Sequence, residues 1–220
     1  MKKLELALYA EGSTDQLFLP PVIVRTAQYI LAQHAQQEVT VEPIEVIEID
    51  KRDLGRDECI VIAAQKAIRY QALIVHSDAD APSAEEALRY RIQPGFDLVQ
   101  KQKQVCKNLL PIIPIQAIEA WMLADHQLLR EEIGTHLSNR NLRIPEKAIQ
   151  VESIAKPKER LQEIVQRAYA ERQRRHRRAR LNKLYEPLGI RISLERLRHL
   201  PSYKQFVADL TTTLENLNFW

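Results

Sequence analysis

The sequence predicts an α/β fold, a parallel sheet flanked by helices, with a helical C-terminal region. Three observations predict it. Short apolar runs alternate with helical stretches over residues 1–125, the β-α-β-α order of a parallel sheet. Strand signals stop after about residue 126, and helical segments follow at 126–133, 157–184, 193–200 and 201–217. Two of the apolar runs end in carboxylates: Glu11 after the first, Asp78 and Asp80 after the third. The implied division is a catalytic unit over 1–125 with a basic helical region, 126–220, packed on it.

The first strand is the run Leu4-Glu5-Leu6-Ala7-Leu8-Tyr9-Ala10, closed by a turn at Gly12-Ser13. A long helix over 15–36 follows, with Ser13 or Thr14 as N-cap and a disturbance expected at Pro20-Pro21. The second strand, 44–49, alternates strictly, which suits a solvated face or a sheet edge. A helix over 56–70 leads to the third strand, 72–77. Residues 81–104 read as a polar helical connection broken at Pro94-Gly95. The fourth strand, 109–115, holds Pro111 and Pro114 and so belongs at an edge. It runs into a helix over 117–124.

With 220 residues, 45% of them hydrophobic and 28% charged, the chain can bury a sizeable core and stay soluble. Cys59 and Cys106 lack metal-ligand spacing and suit a reducing compartment better than a disulfide. No run of about 20 apolar residues offers a membrane span. Met1-Lys2-Lys3 is followed by Glu5 and Glu11 without a small-residue cleavage site, so a cytoplasmic location is expected. Charge is uneven. Residues 1–100 hold 10 Lys/Arg against 16 Asp/Glu, and residues 101–220 hold 22 against 13. An acidic half joined to a basic one suits a metal-dependent enzyme acting on a polyanion, although solvated helix faces of opposite sign would give the same totals.

In parallel sheets, ligands sit beyond the carboxyl ends of the strands. Glu11 and Asp78-Ala79-Asp80 would therefore aim at one point, and residues two apart in an extended stretch face the same way. Carboxylates so gathered repel one another unless a hard cation joins them, which points to Mg²⁺ or Mn²⁺ and to phosphate chemistry. Gly12 permits the tight turn that exposes Glu11, and Asp15 falls in the first helical turn as a further ligand or a dipole partner. The fourth strand delivers Glu119 early in its helix, as a second-cation ligand or a plain helix-terminal acid. His76 reads as a satisfied core histidine, and Trp121, Met122 and Leu123 as core.

Three stretches together resemble a known family. They are the Glu11-Gly12-x-x-Asp15 turn, the later strand with Asp78-x-Asp80, and the helix Pro114-x-x-Ala-Ile-Glu-Ala-Trp-Met-Leu-Ala-Asp125. They look like a bacterial domain-of-unknown-function family of the Toprim fold, near the nucleases named for overcoming lysogenization defect. The likeness continues through Lys156-Pro157-Lys158-Glu159-Arg160-Leu161 and Leu200-Pro201-Ser202-Tyr203-Lys204-Gln205-Phe206, nearly the whole chain. It implies a Toprim-like, Rossmann-like sheet in which Glu11, Asp78 and Asp80 are metal-binding catalytic residues and Asp15 is the second acid of the first motif. It also implies a nuclease working as the effector of an ATPase-linked anti-phage system. The chain has no Gly-x-x-x-x-Gly-Lys-Ser/Thr loop, so the ATPase would be a separate subunit.

The expected polyanion is nucleic acid, DNA ahead of RNA. Lys156, Lys158 and the run Arg172 to Lys183 are its expected contacts. In that run Arg174, Arg175, Arg177, Arg178 and Arg180 crowd like charges at helical spacing, a strain that phosphates would relieve, although a solvated face or a site pairing with the acidic half or a partner reads the same way. No membrane partner is expected, and a homo-oligomer stays open. Two other functions compete: a non-catalytic interaction or regulatory module on the same scaffold, and a manganese-dependent nucleotide-sugar transferase using Asp-x-Asp. The transferase leaves Glu11 and the arginine run without a role. A haloacid-dehalogenase-type phosphatase would need Asp-x-Asp after the first strand, where Glu11 stands.

Overall fold

The computed structural model describes residues 2–169 and 181–220. The first apolar run forms two strands instead of one. At Glu5 the backbone N–H turns to the Gln71 side chain (2.6 Å), separating β1 (Lys2–Leu4) from β2 (Leu6–Tyr9). β1 pairs with β3 (Val39–Val41), a short strand the hydropathy pattern does not announce. β2 enters the main sheet, whose order is β4 (Glu45–Val46), β2, β5 (Ala72–His76), β6 (Leu109–Ile112), and all pairings are parallel. β4 and β6 are the edges, as the alternation of one and the prolines of the other predict. β4 is shorter than the expected 44–49 because β2, its partner, ends at Tyr9 and leaves Ile49 nothing to pair with.

Strand side chains alternate between two cores, as in a sheet covered on both faces. Leu6, Leu8, Ala72, Ile74, Leu110 and Ile112 point into one core, and Ala7, Tyr9, Leu73 and Val75 into the other. The second core is closed by α2 (Arg56–Lys66), α3 (Glu85–Ala87) and α4 (Gln93–Lys101). Both cysteines are free, buried and within it. The break expected at Pro94-Gly95 is instead a π-helical turn over Leu88–Ile92, after which Pro94 sits in the first turn of α4, where a missing N–H costs little.

The first core is larger. α1 (Asp15–His34) lies on it and runs through Pro20 and Pro21 without interruption, because Phe18, Leu19, Val22 and Ile23 around them are fully buried. The same core continues through α5 (Ile118–Ala124), α6 (His126–Ile133), α7 (Asn139–Leu142), a 3₁₀ turn (Ala148–Ser153) and α8 (Pro157–Ala168). It ends on α9 (Tyr185–Arg191), α10 (Leu194–Leu197) and α11 (Pro201–Asn216). The expected helix over 157–184 is present to Ala168, and its continuation to residue 180 lies outside the described residues. Among the described residues no helix is long and apolar enough to cross a membrane.

Candidate functional site

The parallel register decides where the acids go. Tyr9 lies opposite Val75, and His76 opposite Ile112, so β2, β5 and β6 end at one edge of the sheet. The segments leaving that edge carry Glu11 and Asp15, then Asp78 and Asp80, then Gln116 and Glu119. All of these line one cleft of about 670 Å³, whose opposite wall holds Lys156 and Lys158 at the start of α8. Arg174, Arg175, Arg177, Arg178 and Arg180 lie outside the described residues.

Local backbone chemistry places three of the acids. Asp15 Oδ2 accepts the Gly12 N–H at 2.8 Å, and a Cβ on residue 12 would come within 2.9 Å of that oxygen. Asp15 therefore closes the turn, whereas Thr14 occupies the N-cap position without a side-chain capping bond. Neither Ser13 nor Thr14 plays the expected part, because Thr14 already has helical backbone angles. Asp78 Oδ1 accepts the Ile118 N–H at 3.0 Å and so ties the β5 loop to the first residue of α5. Asp80 and Gln116 both have left-handed backbones, with φ of 50° and 63°. They are locked together: Asp80 N–H donates to Gln116 C=O (2.9 Å), and Gln116 N–H to Ala81 C=O (3.1 Å). Strained non-glycine residues of this kind cluster at functional sites.

Each acid also meets a basic group of the chain itself. Glu11 pairs with Arg56 at 3.0 Å and Asp80 with Arg91 at 2.7 Å. His76 stands between two acids, Nδ1 3.4 Å from Asp15 Oδ2 and Nε2 3.3 Å from Asp78 Oδ1. Glu119 accepts the Tyr185 hydroxyl at 2.6 Å, with Lys158 Nζ 3.9 Å away. Arg56, Arg91, Lys158 and, when protonated, His76 stand among these carboxylates and offset part of their mutual repulsion. The Glu11 and Asp80 pairs are the exposed ones, with carboxylates 51% and 64% accessible, and pairs of that kind contribute only about 0–1 kcal/mol. They can be exchanged cheaply.

The buried acids are the reluctant ones. Burial pushes the Asp15 carboxyl up from its ordinary range, against the pull of His76, and the Asp78 charge adds to the rise. Burial likewise raises Glu119, with the Tyr185 hydroxyl opposing. Tyr185 itself is raised, first by burial and then by the Glu119 charge beside it. For His76, burial favours the neutral ring, but the contact with Asp78 and the charges of Asp15, Asp78 and Glu11 outweigh it, and its net shift is upward.

As a donor set these residues fit a hard divalent cation. They offer carboxylate oxygens from three loops on a cleft open to solvent. His76 backs two of them with a fully buried ring whose nitrogens meet no partner in hydrogen-bond geometry. Among the described residues no three His, Cys, Asp or Glu side chains stand close enough together to hold a metal ion as they are placed. Glu11 and Asp80 would have to turn from their arginines to complete such a site.

Arg56, Arg91, Tyr185 and the bridging place of His76 were not legible as site features. Arg56 left one signal, a cation directly after Gly55 in a first helical turn, where the dipole disfavours it. Arg91 and Tyr185 left none, since only the fold brings them across 11 and 66 positions to their partners. Comparison of the chain with protein-family models, with curated proteins and with solved structures finds no match.

Proposed function

We propose that the protein is a Toprim-type, Mg²⁺- or Mn²⁺-dependent nuclease that hydrolyses phosphodiester bonds, with Glu11, Asp78 and Asp80 as the core of the site. The observation that carries this reading is the meeting of Glu11, Asp15, Asp78, Asp80 and Glu119 with Lys156 and Lys158 on one cleft at the carboxyl edge of the sheet. A divalent cation held by these carboxylates would polarise the phosphodiester and acidify an attacking water.

The chain's own residues supply the rest. Asp78 is fixed by the Ile118 N–H and backed by His76, while the side chains of Glu11 and Asp80, in exposed arginine pairs, are the ones that would turn to a cation. Asp15 and Glu119, buried more deeply on the same wall, suit a second cation. Lys158, 60% exposed and facing Glu119, can reach a phosphate oxygen in the cleft. The sequence resemblance extends the proposal to an effector in an ATPase-linked anti-phage system, with DNA as substrate and the ATPase as a separate partner.

A second reading has an observation of its own. The Glu11–Arg56 and Asp80–Arg91 pairs leave the exposed acids satisfied, as a non-catalytic interaction scaffold would. The purified protein is incubated with plasmid DNA and with RNA in Mg²⁺, Mn²⁺ or chelator, and thermal unfolding is followed in the same buffers. Nicking or cleavage that chelator stops, with a higher unfolding midpoint in metal, is the expected result. Intact nucleic acid and equal midpoints at millimolar metal would leave the scaffold reading standing.

A further inference from the structure

We infer that Arg56 and Arg91 are phosphate contacts, turned toward the nucleic-acid backbone when a divalent cation takes Glu11 and Asp80 from them; this rests on the cation-dependent reading of the site above. Four observations converge on the two side chains. Each guanidinium occupies a carboxylate that a cation would need, and the two positive species compete for the same oxygens.

Each is also anchored independently of its carboxylate. Arg56 Nη2 donates to the His76 carbonyl (3.2 Å), and Arg91 Nη1 donates to the Asp78 carbonyl (3.0 Å) as well as to Asp80. Losing the acid therefore leaves the guanidinium at the site, short of an acceptor. Arg56 is short of one already, because its Nε is buried without a hydrogen-bond partner.

Each position is locally unusual. Arg56 is the first residue of α2, where the helix dipole opposes positive charge, and Arg91 is carried by the π turn, a distortion common at functional sites. Both side chains keep solvent access, 26% and 37% exposed, so a substrate can reach them. The planar guanidinium fork matches a phosphate bidentately, which a displaced lysine would not.

The test uses the full chain with Arg56→Gln and Arg91→Gln combined, beside Arg56→Lys with Arg91→Lys. Mn²⁺ binding is read by electron paramagnetic resonance. Binding of a labelled single-stranded DNA of about ten nucleotides is read by anisotropy in Ca²⁺ over a salt series. The Gln pair should bind Mn²⁺ several-fold tighter, because a competitor and a repelling charge are gone. It should bind the DNA roughly tenfold more weakly, with a salt slope shallower by about 1.4, two phosphate contacts' worth. The Lys pair keeps the charge and should recover the slope with only part of the affinity.

Opposite signs for metal and DNA are the signature, since a merely structural loss lowers both. Unchanged DNA binding, or both affinities falling in folded protein, overturns the inference while the metal site stands. If the Gln pair does not fold, a Lys pair with parental DNA affinity overturns it equally. A parent that binds no Mn²⁺ at millimolar concentration overturns this inference and the nuclease reading together.

Discussion

At Asp80 a carboxylate and a left-handed backbone coincide, with φ of 50° held by the bond to Gln116. Aspartate and asparagine tolerate that conformation because their short polar side chains bond locally, whereas other L-residues meet a cost of about 1–2 kcal/mol. The chemical and conformational roles of the residue can thus be separated. On the proposed reading Asp80→Asn keeps the backbone and removes a cation ligand, so metal-dependent cleavage should fall by roughly 10–100-fold with an almost unchanged unfolding midpoint. Asp80→Ala should lose the same activity and unfold earlier by about 1 kcal/mol of stability. Cleavage assays and thermal unfolding of the two variants decide it. An Asn variant that cuts like the parent would remove Asp80 from the catalyst.

Among the elements, α9 against α1 has the least room. A Cβ on Gly189 would lie 2.4 Å from the Phe18 carbonyl oxygen, a backbone atom that cannot step aside. Arg25 on α1 reinforces the contact by donating to the carbonyls of Gly189 (3.4 Å) and Ile192 (2.7 Å) at the end of α9. This approach matters beyond stability, because α1 begins with Asp15 and α9 begins with Tyr185, the partner of Glu119. Gly189→Ala should cost about 1–3 kcal/mol or more through overpacking, and should weaken metal binding as Tyr185 is drawn from Glu119. Ile190→Ala, one residue on and 52% exposed, should stay within about 0.5 kcal/mol of the parent. Denaturant unfolding of the pair measures the difference.

On the scale of the whole molecule, the first core runs from Leu4 to Phe219 with no boundary at residue 125. Trp121 of α5 lies edge-on to Tyr203 of α11 and donates its indole N–H to Ser202 Oγ (2.7 Å), while Ser202 in turn donates to the buried Glu152. That chain joins three distant stretches. Burial raises the Glu152 carboxyl above its ordinary value of 4.5, with the Ser202 bonds only partly opposing. A raised folded-state value means that the stabilisation is complete below the ordinary carboxyl range and is lost as pH rises through the raised value. The unfolding midpoint of the parent should therefore decline relative to Glu152→Gln as pH rises above the ordinary carboxyl value of 4.5. A relative gain over that range would show that the Ser202 bonds favour the charged carboxylate enough to reverse the sign.

The order of strands and helices, the parallel sheet and the edge positions of β4 and β6 were legible in the chain, because period-two apolar runs, prolines and turn residues act locally. So was the arrival of Glu11, Asp78 and Asp80 beyond the strand ends, since each follows a buried apolar run by two to four positions. What local pattern could not carry was pairing. Glu5 splits one apolar run between two sheets only because Gln71 is placed to take its N–H. β3 is too short to show a period of its own. The charge balance of the site was not legible either. Five acids read along the chain suggest repulsion, yet the fold sets Arg56, Arg91, His76 and Lys158 among them from distant positions. Local sequence determined which carboxylates reach the sheet edge. Tertiary structure decided what neutralises them, because Coulomb energy depends on separation in space and on burial, neither of which follows from separation along the chain.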